Sequence, residues 1–198
     1  MEEYATIPRE ELLKRLEIIA QSGHKMNSVI DEMMLLVHVR DEDDLKITPL
    51  DMGSIFSEAL GRLAYVIERR QAEIVAPDRW PDALGYAPWV EEVWYVYISE
   101  ALRLNVHPLR ITVGAAEQAG GVVRFWVRID DHNLTPDQQA RVFQIYERFK
   151  PDLVQRIMEK LDGQFGVGEE KGRGCEFYFT LPGGLEPGHA EKGDKNAR

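Results

Sequence analysis

Two histidines of this sequence lie in a segment with helical periodicity, where an imidazole could take part in phosphoryl transfer. His24 and Asn27 are separated by one helical turn in a segment with helical periodicity, a spacing that could support phosphoryl transfer through the imidazole. A solvent-exposed helix histidine without a chemical role is the simpler interpretation, and it applies equally to His38. No zinc-site spacing and no Ser–His–Asp group can be identified in the sequence. The single cysteine, Cys175, cannot form a disulfide within the chain.

Composition excludes several classes of function. The chain has 198 residues, 44% apolar and 29% charged, which is typical of one globular domain with an attached arm. With 24 basic and 34 acidic residues, the formal charge of −10 argues against nucleic acid and anionic membranes as partners. No uncharged run could span a bilayer, and the first residues are unlike a signal peptide. We therefore expect a cytoplasmic protein that makes no membrane contact through this segment.

Residues 8–40 carry the clearest periodic signal in the chain. Apolar side chains recur alternately every four and three positions, which is a heptad seam. The seam consists of Leu12, Leu16, Ile19, Met26, Ile30, Met33 and Val37, with Gly23 at the position between Ile19 and Met26. A single helix cannot bury such a seam, so we expect residues 1–44 to form a helical arm that makes the chain a homodimer. The alternative is that the arm folds back on its own domain.

Beyond residue 44 the pattern changes to short strands alternating with helices. Residues 45–50 are typical of an edge strand because they contain Pro49. Asp51 or Ser54 can cap a following helix that extends to about residue 71. Its predicted core positions are Ile55, Leu60, Leu63 and Ile67.

Two hairpins and three further helices complete the predicted fold. The expected strands are residues 73–75, 109–116, 122–129, 164–168 and 175–181, and the expected helices begin near Pro88, Thr135 and Pro151. Antiparallel hairpins beside several helices predict an α+β fold, a two-layer α/β sandwich over residues 45–182. Residues 183–198 have the composition of a disordered tail.

This order of elements resembles the cytoplasmic core of two-component sensor histidine kinases over about residues 8–182. The similar segments are residues 12–40 (second helix of the dimerisation hairpin), 48–53 (start of the ATPase domain), 89–105 (asparagine-bearing helix) and 141–143 (phenylalanine box). The most specific segments are Gly163-Gln164-Phe165-Gly166-Val167 and residues 172–182. The resemblance implies an ATPase domain of the histidine-kinase type carried on a dimerisation helix.

Nucleotide-binding positions depart from the pattern of that family. Where the family has an asparagine that holds magnesium, this chain has Glu100, which either ligates magnesium through its carboxylate or is a solvated helix residue. Asp131 takes the place of the family's adenine-binding aspartate if two residues are deleted before Leu134, and Asn133 then replaces a glycine. A plain turn aspartate is the other interpretation of Asp131.

The family's second glycine box and mobile lid are also changed. Pro151 and Asp152 stand where backbone N–H groups would meet the phosphates, so one donor is lost and a carboxylate is added. The segment between Phe143 and Leu153 has only nine residues. We therefore expect no cofactor, with Mg-ATP as the ligand if the degenerate site still binds.

The favoured interpretation is a dimeric signalling scaffold or pseudokinase that docks a response-regulator receiver domain or a partner histidine kinase. One alternative is a divergent active kinase that uses Glu100 for magnesium and Asp131 for adenine. Another is a phosphotransfer protein acting through His24 or His38. The family's phosphoaccepting helix is not found before residue 8. That this sequence is a fragment of a longer sensor is one interpretation, and the residues leave it open.

Overall fold

The structure is a computed structural model that describes residues 8–16, 18–19, 22–23, 26, 45–103, 109–129, 152–170 and 174–184. The chain divides into two units, Met1–Asp43 and Asp44–Arg198. Each unit is considered by itself below.

In the first unit, the described residues from position 9 onward are helical. Leu12, Leu16, Ile19 and Met26 of the predicted seam expose 46%, 52%, 66% and 62% of their surface. Ile30, Met33 and Val37 lie outside the described residues. The helix to about residue 40 therefore stays a prediction.

The second unit contains three described helices and seven strands. Their order is β1 (Thr48–Pro49), α1 (Met52–Arg70), β2 (Glu73–Val75), β3 (Leu84–Gly85), α2 (Ala87–Arg103), β4 (Arg110–Gln118), β5 (Val122–Ile129), α3 (Asp152–Lys160), β6 (Phe165–Glu170) and β7 (Gly174–Pro182). Five strands form a sheet in the order β2-β4-β5-β7-β6, in which β2 and β4 are parallel and the other pairs antiparallel. A helical layer on a mixed sheet confirms the predicted α+β sandwich.

Aromatic side chains fill the space between helix and sheet. The period-two pattern of β5 buries Val123, Phe125, Val127 and Ile129 against the helices. Trp94 of α2 is fully buried, with ring centroids 5.0 Å from Phe179 and 6.1 Å from Phe125. Edge-to-face packing of this kind adds to the free energy gained by burying the rings.

Helix α1 begins at the predicted cap. Asp51 accepts hydrogen bonds from the backbone N–H and the hydroxyl of Ser54, at 3.2 and 2.8 Å. The residues of α1 that are buried are Met52, Ile55, Phe56, Ala59 and Leu63. The prediction that Leu60 and Ile67 belong to the core is wrong, since both are half-buried. The buried face of α1 is rotated about the helix axis relative to the predicted face, because Phe56 packs against Trp80 and Trp94 at ring-centroid distances of 5.4 and 5.2 Å.

The outer face of the sheet carries long polar and aromatic side chains on its two central strands. Cross-strand pairing places Trp126 of β5 between Gly114 and Tyr178. A Cβ atom added at Gly114 would collide with the Trp126 ring. The indole therefore lies flat on the backbone of the neighbouring strand.

The small antiparallel pair of β1 with β3 was not predicted. Thr48 pairs with Gly85 and Pro49 with Leu84, and the Leu50 N–H donates to the Ala83 carbonyl at 2.9 Å. Strands of two residues show no period-two pattern, and the sequence around β3 favoured a loop. The predicted helix from Thr135 and most of the predicted tail, residues 185–198, lie outside the described residues. Within the described ranges, no helix is long and apolar enough to cross a membrane.

Candidate functional site

Helix α2 positions the candidate magnesium residue. The helix starts with Pro88 in its first turn, and one face is held against the sheet by buried side chains. The Tyr97 hydroxyl donates to the Tyr178 carbonyl at 3.1 Å and so ties the middle of α2 to β7. Glu100 follows one turn later, near the carboxyl end of the helix.

Glu100 is held in place by an ion pair. Its carboxylate lies 2.8 Å from the guanidinium of Arg103, one turn along the helix, and its side chain is only 17% exposed. Both interpretations of Glu100, as a magnesium ligand and as a solvated helix residue, therefore stay predictions. A magnesium ion would compete with Arg103 for this carboxylate, because both are cations seeking the same oxygens.

The residue one turn before Glu100 offers no side-chain oxygen. Val96 is half-buried, and its carbonyl already accepts a hydrogen bond from the Ser99 hydroxyl at 2.9 Å. Across the described ranges, no three His, Cys, Asp or Glu residues are grouped so that they could hold a metal ion. Among the described residues, Glu100 therefore offers a single carboxylate at the position where the resemblance implies a magnesium ligand, and that role stays a prediction.

Other predicted site residues lie outside the described residues. These are Asp131 and Asn133, expected near adenine, and the histidines His24 and His38. Their predicted roles stay predictions. Helix α3, predicted to begin near Pro151, begins at Asp152, and it buries Leu153, Val154, Ile157 and Met158.

Two charge clusters were missed by the sequence analysis. On the outer face of the sheet, Glu176 lies 2.8 Å from Arg124 and 2.5 Å from Arg128, with its side chain only 9% exposed. Period two placed Arg124 and Arg128 on one face of β5, but their acidic partner depends on the pairing of β5 with β7. That pairing joins residues about fifty positions apart, which local patterns do not specify.

The second cluster joins the two long helices. Arg62 of α1 lies 2.7 Å from Glu92 and 3.1 Å from Glu91 of α2. Its guanidinium also stacks over the Tyr95 ring at 3.9 Å. These contacts fix α1 against α2 and do not involve Glu100.

Solved structures share the architecture of the chain. The histidine kinase AdeS of Acinetobacter baumannii is 14% identical, with a TM-score of 0.64, over 92% of this chain and 89% of its own. Full-length ShkA in complex with AMPPNP is 20% identical, with a TM-score of 0.62, over 91% of this chain and 40% of its own. The second unit has the ATPase fold of sensor histidine kinases.

Another histidine-kinase structure extends the comparison. ThkA, solved in complex with the response regulator protein TrrA, is 14% identical, with a TM-score of 0.63, over 91% of this chain and 54% of its own. Identities this low show the fold alone. The histidine-kinase fold expected from the motifs at residues 163–182 is therefore confirmed.

A curated relative was found by sequence. The methanogenesis regulatory histidine kinase FilI of Methanothrix harundinacea is 24% identical over 196 residues, which cover 91% of this chain. The chain spans 21% of the length of FilI. No family model matches the sequence.

Proposed function

We propose that this chain is a signalling module that uses a histidine-kinase-type ATPase domain as a dimeric scaffold rather than for phosphoryl transfer. Glu100 carries the proposal. Its carboxylate stands where the resemblance places a magnesium-binding asparagine, and it is paired with Arg103 at 2.8 Å. The negative charge of the Glu100 carboxylate would repel the negatively charged triphosphate of a nucleotide. In addition, Arg103 competes with a magnesium ion for the same carboxylate.

A receiver domain or another histidine kinase is the proposed partner. The core keeps a packed aromatic interior although its nucleotide positions have changed, and an intact scaffold is what docking requires. ThkA was solved with a response regulator, and its similarity extends over 91% of this chain. The exposed apolar residues of the arm support a homodimer.

A working nucleotide site is the second candidate function. Support for it comes from ShkA, which was solved with AMPPNP and is similar over 91% of this chain. On this hypothesis Glu100 binds magnesium once Arg103 is displaced, and Asp131 contacts adenine. Phosphoryl transfer would then depend on positioning and charge stabilisation by the residues that remain.

Titration of Mg-ATP and Mg-ADP into the full chain separates the two functions. A ligand at 100 times its dissociation constant stabilises the folded state by about 2.7 kcal/mol, so binding is visible both by calorimetry and as a rise in melting temperature. The scaffold predicts neither heat nor shift at millimolar nucleotide. Micromolar binding that Glu100→Ala removes, and that Glu58→Ala on the exposed side of α1 leaves unchanged, would overturn it.

Receiver-domain binding is the positive test of the scaffold. Calorimetry with purified receiver domains should give saturable heat without any nucleotide. Failure of all receivers and partner kinases to bind would contradict the proposal. An acid-labile phosphohistidine at His24 or His38 would instead support a phosphotransfer protein.

A further inference from the structure

The outer face of the sheet is partly open at its middle strand. Strand β5 is the third of the five strands and is paired on both sides. Its inward side chains are buried against the helices, whereas Arg124, Trp126 and Arg128, which point the other way, are half-buried. Tyr178 of β7 lies beside them and is also half-buried. The described elements therefore cover one side of the sheet and leave the centre of its other side accessible.

Two aromatic rings lie flat at the centre of this face. Trp126 is paired with Gly114 on one side and with Tyr178 on the other. Tyr178 is paired in turn with Gly166 of β6, where an added Cβ atom would lie 2.7 Å from the tyrosine hydroxyl. Each ring therefore rests on a glycine of the neighbouring strand and turns its other side outward. Tryptophan and tyrosine are among the residues that most often dominate binding at protein interfaces.

The charges on this face do not balance. The Glu176 carboxylate lies 2.8 Å from the guanidinium of Arg124 and 2.5 Å from that of Arg128, so two cations share one anion. The other described charged pair that the register places on this face, Arg110 and Glu73, lies 3.6 Å apart and is balanced. The Nε atom of Arg124 is buried and has no acceptor among the described residues. The described part of the face therefore carries one surplus positive charge.

The two arginines are held in place on the rings. The guanidinium of Arg124 lies 4.0 Å from the centroid of the Tyr178 ring, and that of Arg128 lies 6.0 Å from the Trp126 ring. These contacts and the shared carboxylate order both side chains before any partner arrives. A surface whose side chains are already ordered loses less conformational entropy on binding.

The sign of the surplus charge indicates the partner. The chain as a whole carries a formal charge of −10, which repels nucleic acid, whereas a positive spot on it complements a carboxylate. A symmetric pair of copies would bury the surplus charge of both faces in one interface without an added anion, which is unfavourable. A segment with aspartate or glutamate next to a large apolar side chain matches both the charge and the rings.

We propose that the outer face of the sheet docks an acidic segment of a partner protein. A carboxylate of that segment pairs with Arg124 and Arg128, and a neighbouring apolar side chain packs on the outward side of Trp126. This face lies on the side of the sheet away from α2, which carries Glu100, so the inference goes beyond the proposed scaffold function. Nucleotide titration does not probe this face, so either proposal can fail without the other.

Selection from a displayed library of random short peptides tests the proposal on the full chain. The enriched peptides should carry aspartate or glutamate next to a large apolar residue. Enrichment of basic or uncharged peptides would overturn the proposal. No enrichment would also overturn it, and is the result expected if a second copy or another part of the chain covers the face. Displacement of an enriched peptide by oligothymidylate would assign the face to single-stranded nucleic acid instead.

Variants at the centre of the face test where the enriched peptide binds. Trp126→Ala removes the ring and should weaken binding roughly tenfold in fluorescence anisotropy with the labelled peptide. Tyr65→Ala removes a side chain that is 60% exposed on α1, and it should leave binding unchanged. Equal binding by the natural chain and a folded Trp126→Ala variant would contradict docking on this face.

A double-mutant cycle tests the charge. Replacing the acidic residue of the peptide by its amide should weaken binding to the natural chain roughly tenfold. Arg128→Gln leaves Arg124 and Glu176 as a balanced pair, so the amide should then have little further effect. Arg156→Gln, at an exposed position of α3, is the control and should preserve the full effect. Equal effects of the amide on the natural chain and on Arg128→Gln would overturn the proposal.

The melting temperature of each variant shows whether it is folded. If Trp126→Ala does not fold, Trp126→Phe takes its place, because it keeps a smaller ring on Gly114. If Arg128→Gln does not fold, the charge is tested on the natural chain, where raising the salt concentration should weaken binding of the acidic peptide but not of its amide. An affinity that depends neither on the carboxylate nor on salt would overturn the proposal.

Discussion

The two units of the chain place similar apolar side chains in opposite environments. In the second unit, Trp94, Phe125 and Phe179 are fully buried, whereas Leu16 and Ile19 of the arm expose half or more of their surface. Burial of apolar surface contributes about 25 cal/mol per Å², so these core residues of the second unit obtain a stabilisation that the described seam residues of the arm do not. The comparison indicates that the core can fold alone and that the arm's stripe is suited to another helix.

The largest effect on the core is expected from Trp94→Ala. Trp94 contacts rings from α1, β5 and β7, and its removal leaves a cavity that these rigid elements cannot close. The free energy of unfolding should fall by about 4 kcal/mol, measured by urea denaturation. Tyr65→Ala, at a side chain that is 60% exposed, is the control and should change little. A small loss at Trp94 would contradict a self-sufficient core.

A smaller loss is expected from Glu176→Ala. This change leaves Arg124 and Arg128 without the carboxylate that separates their charges. Because both arginines are partly exposed, we expect a loss of about 2 kcal/mol rather than the full cost of breaking a buried pair. Glu176→Gln keeps the shape of the side chain and should lose less. Equal stability of the alanine variant and the natural chain in thermal melts would show that solvent screens the cluster.

A still smaller effect is expected at the cap of α1. Hydrogen bonds from the Ser54 hydroxyl and then its backbone N–H lower the pKa of Asp51 below its ordinary value of 3.8. Since the folded state favours the carboxylate, this stabilisation is present above pH 3.8 and is lost as the pH falls through the lowered pKa. Asp51→Ala should therefore lower the melting temperature at neutral pH and matter least in strong acid. Ser54→Ala should reproduce part of this dependence. If the difference in melting temperature between Asp51→Ala and the natural chain grew towards low pH, the proposed stabilisation by the Asp51 carboxylate would be contradicted.

The smallest effect on core unfolding is expected from the arm. Changing Leu16 and Ile19 together to aspartate should leave the denaturation midpoint of the core unchanged. The same variant should shift the sedimentation coefficient from dimer to monomer, because the seam can no longer be buried. Lys14→Asp, on the opposite side of the arm helix, should not. A dimer that survives the double substitution would end the proposed role of the seam.

Much of the fold followed from local patterns. The alternation in Val122–Ile129 predicted β5 with its buried positions, and Asp51 predicted the start of α1. These signals are local because side-chain direction along a strand, or at a cap, is fixed within a few residues. In α1 the predicted stripe, which includes Leu60, overlaps with the observed stripe, which includes Phe56. Which of the two is buried depends on contacts with Trp80, a loop residue that is distant in the sequence.

The site was less accessible to prediction. Sequence position singled out Glu100, but its pairing with Arg103 required the rotamers of both side chains. The bonds of Glu176 required the register of two strands, and the position of β6 at the edge of the described sheet required the order of its five strands. Charge pairs and open edges are properties of tertiary arrangement, so a single sequence does not specify them.

The indole of Trp126 that lies flat on Gly114 couples two positions in evolution. No side chain fits at residue 114 while the ring occupies its place, so neither position can accept every substitution by itself. Related sequences that carry alanine or a larger residue at position 114 should carry a residue smaller than tryptophan at position 126. The route between such sequences passes through the smaller residue at 126 first, because the opposite order creates an overlap that the sheet backbone cannot relieve.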